Sequence, residues 1–454
     1  MRTMLRILTV AILGLSLIAP ASAEKPLLRV GTFDVDASPP IGSPLAYDPT
    51  KEITTPLSCR GIVIAGAGRP IVLCAVDWIG IANEGQEAFI NRIAASVDTR
   101  RERVVVHTLH QHDAPRCDFS VDELLREYGL NGTGFDPGFA YNVARAAAVA
   151  AKKALDEAQP VTHVGIGAGI IEKVASNRRI LGKDGKVIHV RYTATRDPKI
   201  RAFPAGTIDP ELKMLSLWNG EKPLVALSWY ATHPQSYYRT GGANPDFPGL
   251  ARNARQKATG IPHVHFNGAG GNIGAGKWND GSHENRQILA DRVAAGMKKA
   301  WDSTKKTPIS AEDVAWTFEP VVLPAAPHLN EKTLLAALAD EKATPAARWA
   351  AGSNLFWLYR CEAKEPINIA CLSIGKARVL HMPGELFVEY QLAAQKLRPD
   401  LFVAMAAYGD YAPGYIGTEI AYSQGGYETS QRASRVAPSV EKTLMTAVRK
   451  LIKR

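Results

Sequence analysis

Four separated apolar runs in this chain each stop at a side chain able to bind a metal or move a proton. RVVVHTLHQH ends in His110 and His112, LVALSWYATHP in His233, ARVLHMPGE in Glu385, and LFVAMAAYGDYAPGYIG in Tyr415. A short apolar run that ends this way reads as a strand leaving the core for the rim of a sheet. The four runs extend from Val104 to Tyr415, so no domain boundary is easily placed between them. They predict a single catalytic domain over 24–454, in which sheet ends converge on one site.

The remaining pattern predicts a mixed α/β (α+β) protein, with layered sheets covered by helices and a metal site at the strand ends. GIVIAG, IVLCAVDWIGI, RVVVHTL, HVGIGAGII, LVALSWYA, ARVLHM and LFVAMAAY read as strands. QEAFINRIAASV, FAYNVARAAAVAAKKALDEA, NRQILADRVAAGMKKAW and LFVEYQLAAQKL read as helices, as does the region from Glu331 to Leu358. No internal repeat is visible. Residues 116–137 read as an insertion, and the glycine-rich stretch from Gly268 to Ser282 as an active-site loop.

The first residues carry Arg2 and Arg6, an apolar stretch from Ile7 to Ile18, and Ala21-Ser22-Ala23. This is the layout of a secretory signal peptide cut after Ala23, which predicts a periplasmic or secreted protein. No later run reaches the roughly 18 to 20 apolar residues that span a bilayer, so contact with a membrane is expected to be at most peripheral. The net charge is +10, and the basic residues are scattered, which speaks against a nucleic-acid site. None of the five cysteines has CxxC spacing, and Cys361 with Cys371 is the pair that could form a disulfide.

Imidazole and carboxylate donors suit zinc, which keeps an open position for water in catalytic sites and lowers that water's pKa to about 7. His110, His233 and Glu385 would make a His₂Glu set. Each also has a plain structural reading: an HxH by chance, a core histidine bonded to a carbonyl, and a glutamate favouring a helix dipole.

Several strings taken in order resemble those of the neutral/alkaline, non-lysosomal ceramidases, zinc amidohydrolases that cleave the N-acyl amide of ceramide. HQHDAP resembles that family's HTHSGP, and SNRRI its INRSP. The segment from Asp209 to Pro234 resembles one ending in FAVHPTS. FNGAGGNIG resembles QSNAGDVSP, PGE matches PGEF, and YIGTEIAYSQGGYE resembles YITTYEEYQAQRYE. The resemblance implies zinc ligation by His110, His233, Glu385 and Tyr415. It also implies that His112, Arg178 and Tyr427 stabilise the reacting carbonyl. Asp77 would be a partner of a metal-bound histidine, or a cap or turn residue.

The departures fall on substrate recognition. Asn267 stands where the family has a serine that contacts the headgroup, and Asn272 where it has an aspartate. The chain stops soon after Tyr427, so the resemblance covers only the catalytic part and includes no immunoglobulin-like β-sandwich. Tyr238, with Tyr237 and Arg239, follows His233 and suits a polar or sugar-like group. The expected function is hydrolysis of an amide in an N-acyl substrate, a ceramide-like lipid or an N-acyl amino sugar, by metal-activated water. The alternatives are a carbohydrate esterase or other sugar-processing metalloenzyme on the same fold, and a noncatalytic envelope binding protein.

Overall fold

Three antiparallel strands, a helix, and a fourth strand laid parallel beside the third: this arrangement occurs three times in the computed structural model, which describes residues 27–453. In the first unit Arg29–Asp36, Ser58–Gly66 and Gly68–Val76 are antiparallel neighbours. Helix Glu84–Ser96 then leads to Val104–Thr108, parallel to Gly68–Val76. The second unit uses His163–Ile170, Glu211–Asn219, Lys222–Tyr230, helix Asp246–Thr259 and His263–Asn267. The third uses Val314–Val321, Ile367–Ile374, Ala377–His381, helix Val388–Leu397 and Phe402–Ala406. After each fourth strand comes a second helix, Pro137–Asp156, Glu284–Asp302 or Val440–Lys453, which packs on the first strand of its own unit.

The chain therefore does repeat, in topology though not in residues. Burial fixes only the period and polarity of a strand, and the three units meet that demand with different side chains. The inner faces of all three sheets share one apolar cluster, including Ile62 and Leu73 from the first, Leu227 and Phe266 from the second, and Leu372 and Val379 from the third. Each outer face is closed by its own helices over a separate cluster. Helix Pro137–Asp156 shows how close that packing is. Pro137 opens it, Asp136 caps the Phe139 amide at 2.9 Å, and Ala144, Ala147, Ala151 and Ala154 face the sheet. A Cβ on Gly31 would stand 1.7 Å from the Ala154 carbonyl oxygen, so only glycine lets this helix sit flush on the strand.

The expected strands and long helices are present, with differences. Strands Arg29–Asp36, Glu211–Asn219, His263–Asn267, Val314–Val321 and Ile367–Ile374 and helix Asp246–Thr259 are not among the elements the sequence pattern predicts. Glu331–Ala339 and Pro345–Glu362 are two helices, because Thr344 caps a new start with Pro345 in its first turn. The stretch read as an insertion holds the two-residue strand Arg116–Cys117 and helix Phe119–Arg126.

All five cysteines are free, which corrects the Cys361–Cys371 pairing: Cys361 sits in a helix and Cys371 inside a central strand. Residues 1–23, expected to be a signal peptide, lie outside the described residues, and no described helix is long and apolar enough to cross a membrane.

Candidate metal centre and active site

The ends of the fourth strands meet where the three units converge. Thr108 N donates to Tyr408 O, Ala407 N to Asn267 O, and the Asn267 side-chain amide to Leu109 O. This ring of contacts sets the backbone just before His110. His110 itself has φ +61°, a left-handed conformation that costs a non-glycine residue about 1–2 kcal/mol. It is held by His110 N donating to Trp78 O at 2.9 Å and by ring Nδ1 donating to Ile79 O at 2.6 Å. That bond fixes the tautomer and leaves the lone pair on Nε2 facing the site.

Around Nε2 the buried donors converge. Glu385 Oε2 lies 3.1 Å from His110 Nε2 and 3.7 Å from His233 Nδ1, and His233 Nε2 lies 3.4 Å from His112 Nε2. Donor atoms of His110, His112 and His233 all fall within 4.8 Å of one another. Glu385 Oε2 and His233 Nδ1 are buried without a well-aligned hydrogen bond, an arrangement that costs free energy unless something else satisfies them. Tetrahedral zinc with bonds of 2.0–2.1 Å sets its ligands roughly 3.3 Å apart, so these separations suit a single ion.

Protonation suits it too. Burial pushes the imidazoles of His112 and His233 well below their ordinary pKa, and the neighbouring His110 adds to the effect, so both offer lone pairs at neutral pH. Burial pushes Glu385 up, but His110 and the hydroxyls of Tyr411 and Tyr415 more than offset this and hold it as a carboxylate.

Glu385 and Tyr415 face each other in a two-residue parallel ladder, with Glu385 N bonded to Gly414 O at 2.9 Å. Behind Glu385 runs the glycine-rich stretch. A Cβ on Gly271 would stand 2.2 Å from the Glu385 carbonyl oxygen, so this loop supports the carboxylate's backbone. The same stretch pairs Ile273–Gly274 with Ser176–Asn177 and bonds Arg178 N to Asn272 O at 2.8 Å.

Arg178 is buried, donates to the Tyr415 hydroxyl at 3.0 Å, and forms an ion pair with Glu428, whose Oε1 lies 3.0 Å from Nε without an aligned hydrogen bond. Burial alone would lower its pKa, but Tyr415 and Glu428 raise it above the ordinary value, so the guanidinium is permanently charged. Burial raises the Tyr415 phenol well above its usual pKa, with Arg178 pulling the other way.

The other sequence candidates divide. Tyr427 is half-buried, with its ring 5.8 Å from the Tyr415 ring and beside the Arg178 guanidinium. Tyr238 sits 5.6 Å from the His112 ring and next to Tyr47, which is stacked on His112 at 5.9 Å.

Asn267 is wholly buried and gives its side-chain NH₂ to Leu109 O, while its Oδ1 is left without a hydrogen-bond partner. Asn272 accepts from Val388 N at 2.9 Å and donates to Glu389 at 2.8 Å, fastening the start of helix Val388–Leu397. Asp77 does not touch a histidine: it forms a buried two-pronged pair with Arg252 at 2.6 and 2.9 Å.

Sequence reasoning missed Tyr408, Tyr411, Tyr47 and Glu428. Tyr408 stacks on His110 at 4.7 Å, and Tyr411 donates to Glu385 Oε1 at 2.7 Å. Both lie in the YGDYAPGY string already singled out for Tyr415. Glu428 adjoins Tyr427, and only its place opposite two arginines marks it.

Solved structures share this fold, among them two ceramidases. A ceramidase described as complexed with C2 superposes with a TM-score of 0.70 at 17% identity, over 94% of this chain and 75% of its own. Neutral ceramidase from Pseudomonas aeruginosa superposes with a TM-score of 0.69 at 18% identity, over 94% of this chain and 74% of its own. No family model and no curated protein matches the sequence. The architecture is thus ceramidase-like, as the sequence resemblance implied.

Proposed function

We propose that this protein is an exported zinc-dependent hydrolase that cleaves the amide bond of an N-acyl substrate. The observation that carries the reading is the convergence of His110, His112, His233 and Glu385, delivered by three different sheets, beside a permanently charged Arg178. The ceramidase-like fold supports the same bond type, and the layout of residues 1–23 supports export.

His110, His233 and Glu385 would hold the ion, with Tyr415 as the fourth donor. Zinc bound there would activate a water and polarise the acyl carbonyl. The chain's own groups do the rest. Arg178, locked by Glu428 and Tyr415, supplies a charge already oriented for negative charge developing on the carbonyl oxygen, so little reorganisation is needed during reaction. Tyr427, next to it, offers a phenol to the same region. His112, neutral beneath Tyr47 and Tyr238, can take a proton and pass it to the leaving amine.

The rim of tyrosines, with Tyr47, Tyr238 and Tyr192 exposed to solvent, supports a second reading in which the substrate is a sugar ester or amide.

Metal content by mass spectrometry on purified protein tests the proposal when paired with hydrolysis of N-acylsphingosine, N-acyl amino sugars and acetylated sugars. About one zinc per chain with release of a fatty acid or acetate from an amide is expected. Turnover of acetylated sugars alone would favour the esterase reading, and metal-free protein with full activity would overturn the mechanism.

A further inference from the structure

Beside the metal centre, one aromatic ring away from His112, lies a cavity of about 490 Å³ with Tyr47 in its wall. That volume falls in the range of pockets that hold small molecules. Two guanidiniums line it, Arg116 and Arg239, against a single carboxylate, Asp48, so the pocket carries net positive charge. Both arginines are braced by aromatic faces. Arg239 lies over Tyr47 at 5.1 Å and Tyr238 at 5.5 Å, and Arg116 over Trp349 at 5.9 Å.

Neither arginine forms an ion pair with a carboxylate among the described residues, whereas its neighbours do. Arg178 has Glu428, Arg286 has Asp113, and Arg360 has Asp410. Arg116 spends one nitrogen on the Ala46 carbonyl, while its Nε is buried with no partner. Arg239 is held in place through its backbone. Its φ is +65°, a costly conformation for arginine, and its amide is fixed by Asp113 Oδ1 at 2.9 Å. Asp113 is itself occupied by Thr240 and Arg286, so it does not neutralise the Arg239 side chain.

Two braced, unpaired guanidiniums in a pocket are the usual means of binding a carboxylate or phosphate. We infer that this pocket is a subsite for an anionic group, so that the substrate is an N-acyl compound whose amine portion carries a carboxylate or a phosphate. The inference rests on the hydrolase reading for the scissile bond and on this pocket for the charge.

Matched substrate pairs test it: an N-acylalanine against the N-acylalaninol, and an N-acylethanolamine O-phosphate against the N-acylethanolamine. The wild-type enzyme is expected to prefer the anionic member of at least one pair by about 10- to 100-fold in kcat/KM, the range expected for hydrogen bonds to a charged group. Whichever pair shows it identifies the anion. In Arg239→Gln, and more so in Arg116→Gln/Arg239→Gln, that ratio should fall towards one, and Arg239→Lys should restore part of it.

Equal turnover of both members by the wild type, or an unchanged ratio in the double variant, would overturn the subsite. If no member is cleaved, calorimetric binding of the same compounds decides separately. Charge-dependent binding lost in the double variant supports the subsite while the hydrolase reading fails, and charge-independent binding overturns the subsite as well.

Discussion

Asp77 and Glu385 stand at comparable places in the repeating fold and do opposite work. Asp77 directly follows the third strand of the first unit, and Glu385 comes four residues after the third strand of the third. Both are essentially inaccessible to solvent. Asp77 has every oxygen engaged, by Arg252, the Ser58 amide and the Ser58 hydroxyl. Glu385 has one oxygen bonded to Tyr411, while the other faces imidazole nitrogens without a well-aligned bond. Comparable positions after the third strand thus hold a latch where the charge is matched and a candidate ligand where it is left open. Burial of a carboxylate says little about function; what matters is whether its partners complete it.

Replacing each carboxylate should separate the two roles. Glu385→Gln should lose zinc and reduce kcat/KM on the order of 10³-fold or more, since Lewis-acid stabilisation amounts to several kcal/mol. Its urea midpoint should stay close to that of metal-free wild type; a collapse of stability with zinc retained would make Glu385 a structural residue. Asp77→Ala should do the reverse. It strands the buried Arg252, which is expected to cost about 3–5 kcal/mol in urea denaturation. Zinc content per folded molecule should be retained, and loss of metal at unchanged stability would place Asp77 in the centre.

Tyr411→Phe removes only the hydroxyl that orients Glu385. It should weaken zinc affinity by about 10- to 100-fold in competition with a chelator, with little change in fold. Unchanged affinity would mean that Glu385 needs no such support.

The smallest effect is the pH dependence. Burial raises the Asp77 carboxyl, but Arg252 first among its partners brings it below the usual aspartate range. A depressed folded pKa contributes stability that is present above the unfolded value of about 4 and is lost as pH falls through the folded one. The stability gap between wild type and Asp77→Asn should therefore be constant from pH 5 to 7 and close only below about pH 4. A gap that closes near neutrality would point to a different titrating group.

Much of the candidate site was legible because its residues end apolar runs, a pattern that a single sequence displays directly. His110, His112, His233 and Glu385 lie together in space, and Glu385 pairs with Tyr415 in a short ladder. The threefold arrangement was not legible, because Val314–Val321, with its alternating half-exposed edge and Pro320, satisfies the same topological place as the glycine-bearing Arg29–Asp36 with unrelated residues. Asn267 and Asn272 illustrate the limit at the site. Resemblance implies a substrate role for both; Asn272 has both ends of its amide engaged at the start of a helix, whereas Asn267 gives its NH₂ to Leu109 and keeps Oδ1 without a partner. Arg252 gave no signal at all, since its partner Asp77 is 175 residues away in the chain.

The most direct measurement is an anomalous difference map at the zinc absorption edge from crystals of the purified protein. The account predicts one peak about 2.0–2.2 Å from His110 Nε2, a nitrogen of His233 and Glu385 Oε2. No peak at that point, or a peak elsewhere with Glu385 unligated, would contradict it.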